Sequence, residues 1–238
     1  MLDVLLFFVA AVAGAVAAVA GFGIGSLLTP LLAATVGTKL AVAAISIPHF
    51  IGTAIRFIRL RANLDRRVLW SFGITSAAGG LIGALLQSRA ASRQLTIVFG
   101  LLLIFVGLSG LSGLAQRMRF QGPPAWVAGA ISGLLGGLVG NQGGIRSAAL
   151  LGFELPRDAF VATATAIGLF VDCARMPVYI ATQHAELRGL ALEIAIACAG
   201  VVIGTLSGTR LLKRIPEKAF RMIVSLLVLA LGIYMLTV

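Results

Sequence analysis

Gly140-Asn141-Gln142-Gly143-Gly144-Ile145-Arg146-Ser147 lies inside an apolar segment, 125–152, and decides how the chain folds. The apolar flanks want a helix. Glycines at 140, 143 and 144, with two amides and an arginine beside them, break it. A second stretch, Gly21-Phe22-Gly23-Ile24-Gly25-Ser26, interrupts the apolar run 4–36 in the same way. Six further apolar segments, 40–58, 68–87, 95–115, 159–181, 189–209 and 220–237, are of ordinary membrane-spanning length, about 20 residues.

Composition agrees with that pattern. Of 238 residues, 59% are hydrophobic and 11% charged, with mean hydropathy +1.05. A soluble domain is roughly 45–50% apolar and about 25% charged, so a soluble enzyme of the usual type is excluded. Alternating ten-residue strands are absent, which excludes a β-barrel. The net charge of +11 comes mostly from short loops between apolar runs. It reads as orientation by the positive-inside rule, not as a nucleic-acid surface. Cys173 and Cys198 match no ligand spacing, and no metal site is expected. The N-terminus carries Asp3 and no basic residue before its apolar run, so it is read as a retained segment that starts on the non-cytoplasmic side.

The chain repeats. A shift of 119 residues places Gly25 on Gly144, Val42 on Val161 and Arg56 on Arg175, and a shift of 121 places Gly79 on Gly200 and Gly83 on Gly204. One membrane domain, 1–238, thus holds two halves of approximately 1–115 and 124–238, each a broken segment followed by three helices, a plan common in secondary transporters. The basic stretches Arg56–Arg67 and Arg210–Arg221 should both be cytoplasmic. Eight plain spans would put them on opposite sides. Two re-entrant-like broken pairs and six full crossings put them on one side, with the halves inverted and both termini outside. The arms of the first broken segment, roughly 17 and 11 residues, reach only about 25 and 17 Å.

A break in a membrane helix leaves backbone groups unpaired, and the helix that restarts offers free N–H groups and partial positive charge to an anion. The substrate-binding candidates are therefore Gly23, Gly25 and Ser26 at the first break, and Asn141, Gln142, Gly143, Gly144, Arg146 and Ser147 at the second. Helix N-termini are expected at Ser26 and Ser147. Glycines let backbone approach, the amides donate hydrogen bonds, and Arg146 supplies charge in a fork that matches an oxyanion. His49 after Pro48, and Asp172 with Arg175 one turn apart, are candidates for a proton or charge relay, or else for a structural ion pair. Arg56, near a helix end, is expected to snorkel to the surface. Gln87 and Gln183 read as segment ends. No catalytic constellation is present: there is no Walker loop, zinc-ligand helix or paired-carboxylate site. The reading requires no cofactor.

The motifs "GFGIGSLLTPLL" at 21–32 and "GNQGGIRSAALLGF" at 140–153, each opening one half, make the whole chain similar to the sulfite exporter TauE/SafE family, also called the 4-toluene sulfonate uptake permease family. The resemblance implies a carrier in the bacterial inner membrane for sulfur-containing or carboxylate anions, coupled to an ion gradient of protons or sodium. The chain departs from a common family form of three consecutive glycines with a proline soon after. Ile24 interrupts the first group, only a glycine pair precedes Ile145-Arg146, and Pro30 has Ala149 as its counterpart.

The expectation is thus an all-α polytopic membrane protein of two inverted four-segment halves, with a small anion held at the midplane and moved by alternating access. Its partners are that anion, a coupling ion and membrane lipid. An anion channel or a non-transporting scaffold subunit is the alternative. Small-residue faces such as Gly79-Gly80 and Gly83 can pack within the chain or between two copies, which leaves a homodimer open.

Overall fold

The two glycine clusters end helices, as their sequence demands. In the computed structural model, which describes residues 2–114, 123–141, 143–212 and 215–237, α1 (Leu2–Ala20) is followed after the first cluster by α2 (Ile24–Val36). Then come α3 (Thr38–Leu60), α4 (Arg66–Arg89, with a π-helical turn at Leu69–Gly73) and α5 (Ser92–Ser112). The second cluster separates α6 (Pro123–Val139) from α7 (Gly143–Leu150), and α8 (Arg157–Gly189), α9 (Ala191–Leu212) and α10 (Glu217–Thr237) complete the chain. No strand occurs among the described residues. Gln142, together with Lys213 and Arg214 of the second basic stretch, lies outside them.

Seven of these helices, α1, α3, α4, α5, α8, α9 and α10, are long and apolar enough to cross a membrane. The protein is an all-α, multi-pass membrane protein. α1 is longer than the sequence suggested for the first arm: its 19 residues span about 28 Å, close to the ~30 Å hydrocarbon core. α2, α6 and α7, with 13, 17 and 8 residues, are shorter. The 119-residue spacing recurs in the helix starts: Ile24 and Gly143 open α2 and α7, and Thr38 and Arg157 open α3 and α8.

Small residues determine which helices touch. α1 packs along α9 and α6 along α4, while α3 crosses α8 and α5 pairs with α10. In the α1–α9 contact, Gly204 lies against the Ala11 carbonyl and Gly208 against Ala15; in the α4–α6 contact, Gly83 lies against the Leu134 carbonyl and Gly133 against that of Ser76. A Cβ at any of these positions would overlap backbone. Such close approach is how membrane helices gain packing energy when lipid is as apolar as their own side chains. Gly79 and Gly83 are therefore used inside the chain, against α6, and Gly80 meets Val171 of α8. Large apolar side chains such as Phe8, Ile82, Leu101, Ile203 and Leu226 remain exposed and form the outer, lipid-directed surface.

α3 and α8 occupy the interior. Each contains a proline, Pro48 and Pro177, which removes one backbone donor and favours a bend. α8 also departs from helical geometry at Gln183 (φ −137°). That side chain and Gln87, both read from sequence as segment ends, are buried. Gln183 Nε2 donates to Gln87 Oε1 at 3.2 Å, and Gln87 Nε2 donates to the Lys39 carbonyl at 2.8 Å.

Candidate functional site

The two breaks meet in the interior. Gly25, the second residue of α2, lies against the Gly140 carbonyl, and Gly143, the first residue of α7, lies against the Phe22 side chain. Gly21 and Gly140 take the left-handed conformation, φ 78° and 76°, that ends α1 and α6 without a Cβ penalty. Gly21 N–H donates to the Ala17 carbonyl and Gly140 N–H to the Gly136 carbonyl, both at 3.0 Å.

The same two carbonyls accept a second bond from a buried arginine. Arg56 Nη1 of α3 donates to Ala17 O at 2.5 Å, and Arg175 Nη1 of α8 donates to Gly136 O at 2.6 Å. A cation at a helix C-terminus is favoured by the aligned peptide dipoles. Arg56 is only 5% exposed. The expectation that it snorkels fails because its partner is the end of α1, not the helix end four residues away.

Around Arg175 the charges are matched. Asp172 Oδ1 accepts from Arg175 Nε at 3.0 Å and lies 2.9 Å from Nη2, while Oδ2 is 2.7 Å from His49 Nδ1. His49 and Asp172 therefore meet across α3 and α8, and both carboxylate oxygens are engaged. Tyr179 adds its ring 5.8 Å from the guanidinium and donates its hydroxyl to the Gly137 carbonyl. Sequence reasoning missed Tyr179; its signal was spacing, since it lies one turn beyond Arg175 on the same helix.

Arg146 is held differently. It is 2% exposed, and Nη2 reaches the Gly21 carbonyl of the first break at a long 3.5 Å. Among the described residues, its Nε and Nη1 have no hydrogen-bond partner, and neither do Asn141 Nδ2, Ser26 Oγ or Thr29 Oγ1, all buried. Buried polar atoms are nearly always paired in proteins, so this group of donors stands out among the described residues.

The other sequence candidates take these positions. α2 starts at Ile24 with Gly23 (φ 134°) as its N-cap, so Ser26 is its third residue and not its start. α7 starts at Gly143, ahead of Ser147, because the glycines after each break take helical backbone. Leu27 N–H is the first in α2 to find an intrahelical carbonyl, that of Gly23, which leaves the earlier N–H groups free. Gly23, Gly25, Asn141, Gly143 and Arg146 are buried where the breaks meet. Gly144 packs against Val106 of α5, and Ser147 is half-buried. An apolar groove of about 420 Å³ lined by Phe8, Leu27, Pro30 and Leu231 opens elsewhere, between α1, α2 and α10.

No curated protein and no solved structure matches the chain. A family model described as Sulfite exporter TauE/SafE matches residues 6–235.

Proposed function

Because the chain belongs to the sulfite exporter TauE/SafE family, a family of membrane transporters and not of enzymes, we propose that it is a secondary transporter that binds one small sulfur-containing oxyanion between its two broken helices. One observation carries this reading: the unpartnered, buried donors of Arg146, Asn141 and Ser26 lie where the helices restart. An arginine fork, an amide N–H, a hydroxyl and the free N–H groups of two helix N-termini form a cradle for tetrahedral or pyramidal oxyanions. Gly25 and Gly143 let the two breaks approach each other, Gly25 against the Gly140 carbonyl and Gly143 against Phe22.

The halves 1–115 and 124–238 are taken to be inverted. Each contributes three crossings, α3–α5 or α8–α10, and one broken pair that enters and leaves on the same side. An odd number of crossings turns the second half over. Both arginine-rich loops then share the cytoplasmic face of a bacterial inner membrane, with the termini opposite. The packing supports this plan, since exchanging the halves turns the α1–α9 contact into the α6–α4 contact and maps the α3–α8 and α5–α10 pairs onto themselves. Alternating access is rocking about those central pairs. The His49–Asp172 pair spans the α3–α8 crossing, where a coupling proton can be held and released as the halves move.

The test is a thermal-shift series on the purified protein in detergent, with sulfite, sulfate, thiosulfate, a short alkylsulfonate, a carboxylate and chloride at matched ionic strength. A ligand at 100 times its dissociation constant stabilises the folded state by about 2.7 kcal/mol. A saturable shift from a sulfur oxyanion, lost in Arg146→Gln, is expected. No selective shift from any sulfur oxyanion, or an unchanged shift in the variant, overturns the reading.

A further inference from the structure

The charge around the breaks does not balance. Three arginines are buried there, Arg56, Arg146 and Arg175, each at most 5% exposed. Asp172 is the single buried acid among the described residues, and its two oxygens are taken by Arg175 and His49. The helix ends do not offset the surplus: each break presents one C-terminus and one N-terminus, whose partial charges of about half a unit cancel.

The surplus is on Arg56 and Arg146, and they converge. Arg56 Nη1 holds Ala17 O in the last turn of α1, and Arg146 Nη2 approaches Gly21 O, four residues on and just past the helix end. Arg56 Nη2 bonds Thr53 Oγ1 at 3.2 Å, and Arg146 Nη1 and the Thr53 methyl both border Gly168. Arg56 Nε, like Arg146 Nε and Nη1, has no hydrogen-bond partner among the described residues. Two neighbouring buried cations without an anion are costly, and pairing is the usual remedy.

We infer that Arg56 is a second anion-binding residue that shares the substrate with Arg146, and that the site takes an oxyanion bearing two negative charges. The inference rests on the proposed anion site and adds the charge of its ligand and a residue that sequence reasoning assigned to the surface. A dianion neutralises both guanidiniums at once; a monoanion leaves one of them uncompensated.

Sulfate and methanesulfonate separate these cases, since they are similar in size and tetrahedral shape and differ by one charge. Each is titrated at neutral pH and matched ionic strength against the full-length protein in detergent, with thermal stabilisation as the readout. Sulfate is expected to saturate at a concentration at least about tenfold lower than methanesulfonate. Arg56→Gln should abolish that preference. Thr53→Asp should also abolish it, by giving Arg56 the internal carboxylate that Arg175 already has. It keeps the Arg56 bond to α1, so it carries the test if Arg56→Gln does not fold. Methanesulfonate binding as well as sulfate, or a preference that survives Thr53→Asp, overturns the inference while leaving the anion site intact. Binding of neither anion overturns the inference, and it overturns the proposed site as well when sulfite and thiosulfate also give no shift.

Discussion

Arg56 and Arg175 stand 119 residues apart and share one task. Each reaches back 39 residues to a carbonyl in the last turn of a helix that ends at a glycine break. What differs is the residue one turn before the arginine: Thr53 in α3 and Asp172 in α8. The threonine offers Arg56 one neutral hydrogen bond. The aspartate offers Arg175 a full countercharge and links it to His49. Two regions with the same backbone plan therefore have different chemistry: Arg175 is paired with a carboxylate, and Arg56 has only a neutral side-chain partner. A duplicated scaffold can keep its helix-capping arginines and still make an asymmetric site by changing one position.

Removing the neutralising group should have the largest effect. Asp172→Asn keeps the size of the side chain but leaves Arg175 buried without a countercharge, and breaking a buried pair in this way costs about 3–5 kcal/mol. A large loss of thermal stability or of folded yield in detergent is expected. Thr53→Asp places a carboxylate in the matching setting around Arg56 and should leave stability within about 1 kcal/mol of the parent. Equal tolerance of both substitutions would erase the proposed difference between the two regions.

The α1–α9 and α4–α6 contacts provide the symmetric counterpart. Gly204 faces the Ala11 carbonyl and Gly83 faces the Leu134 carbonyl, with no space for a Cβ in either case. Gly204→Val and Gly83→Val should each destabilise by about 1–3 kcal/mol, the usual cost of overpacking, and by similar amounts. Melting curves of the two variants side by side would show it. A large cost at one crossing and none at the other would mean that the two contacts are not equivalent.

Much of this plan was legible in the sequence, because it depends on residues close together in the chain. The glycine clusters at 21–25 and 140–144 interrupt their apolar runs locally, and a fixed 119-residue offset needs no structure to be seen. Asp172 and Arg175 are one turn apart, so their pairing was also readable. Arg56 was not. Its offset to Arg175 was visible, but proximity to the end of α3 suggested an escape to the surface, and only the fold brings Ala17 within reach. His49 bonds across 123 residues and Gln183 across 96. Each is a polar residue on an apolar helix, and the sequence does not say which helix crosses it. The two helix starts were misplaced for a local reason: glycine is a poor helix former, yet Gly25, Gly143 and Gly144 lie inside the first turns of α2 and α7.

The smallest effect tests the same pair of contacts at higher resolution. Ser76 of α4 is fully buried and donates to the Gly129 carbonyl of α6 at 3.0 Å. At the 121-residue offset, the position in α9 is Ala197, equally buried. At this position the α4–α6 contact thus has a side-chain hydrogen bond that an alanine in the α1–α9 contact cannot make. Interhelical bonds of this kind average about 0.6 kcal/mol in membrane proteins, because the separated helices also find partners. Gly129 lies inside α6, so its carbonyl keeps a backbone partner when the hydroxyl is removed. Ser76→Ala should therefore lower stability by only about 0.6 kcal/mol, a small melting shift with full folded yield. A loss several times larger would show that the hydroxyl holds α4 to α6 in a way the glycine packing does not, and that the two crossings, alike in backbone, are held together by different means.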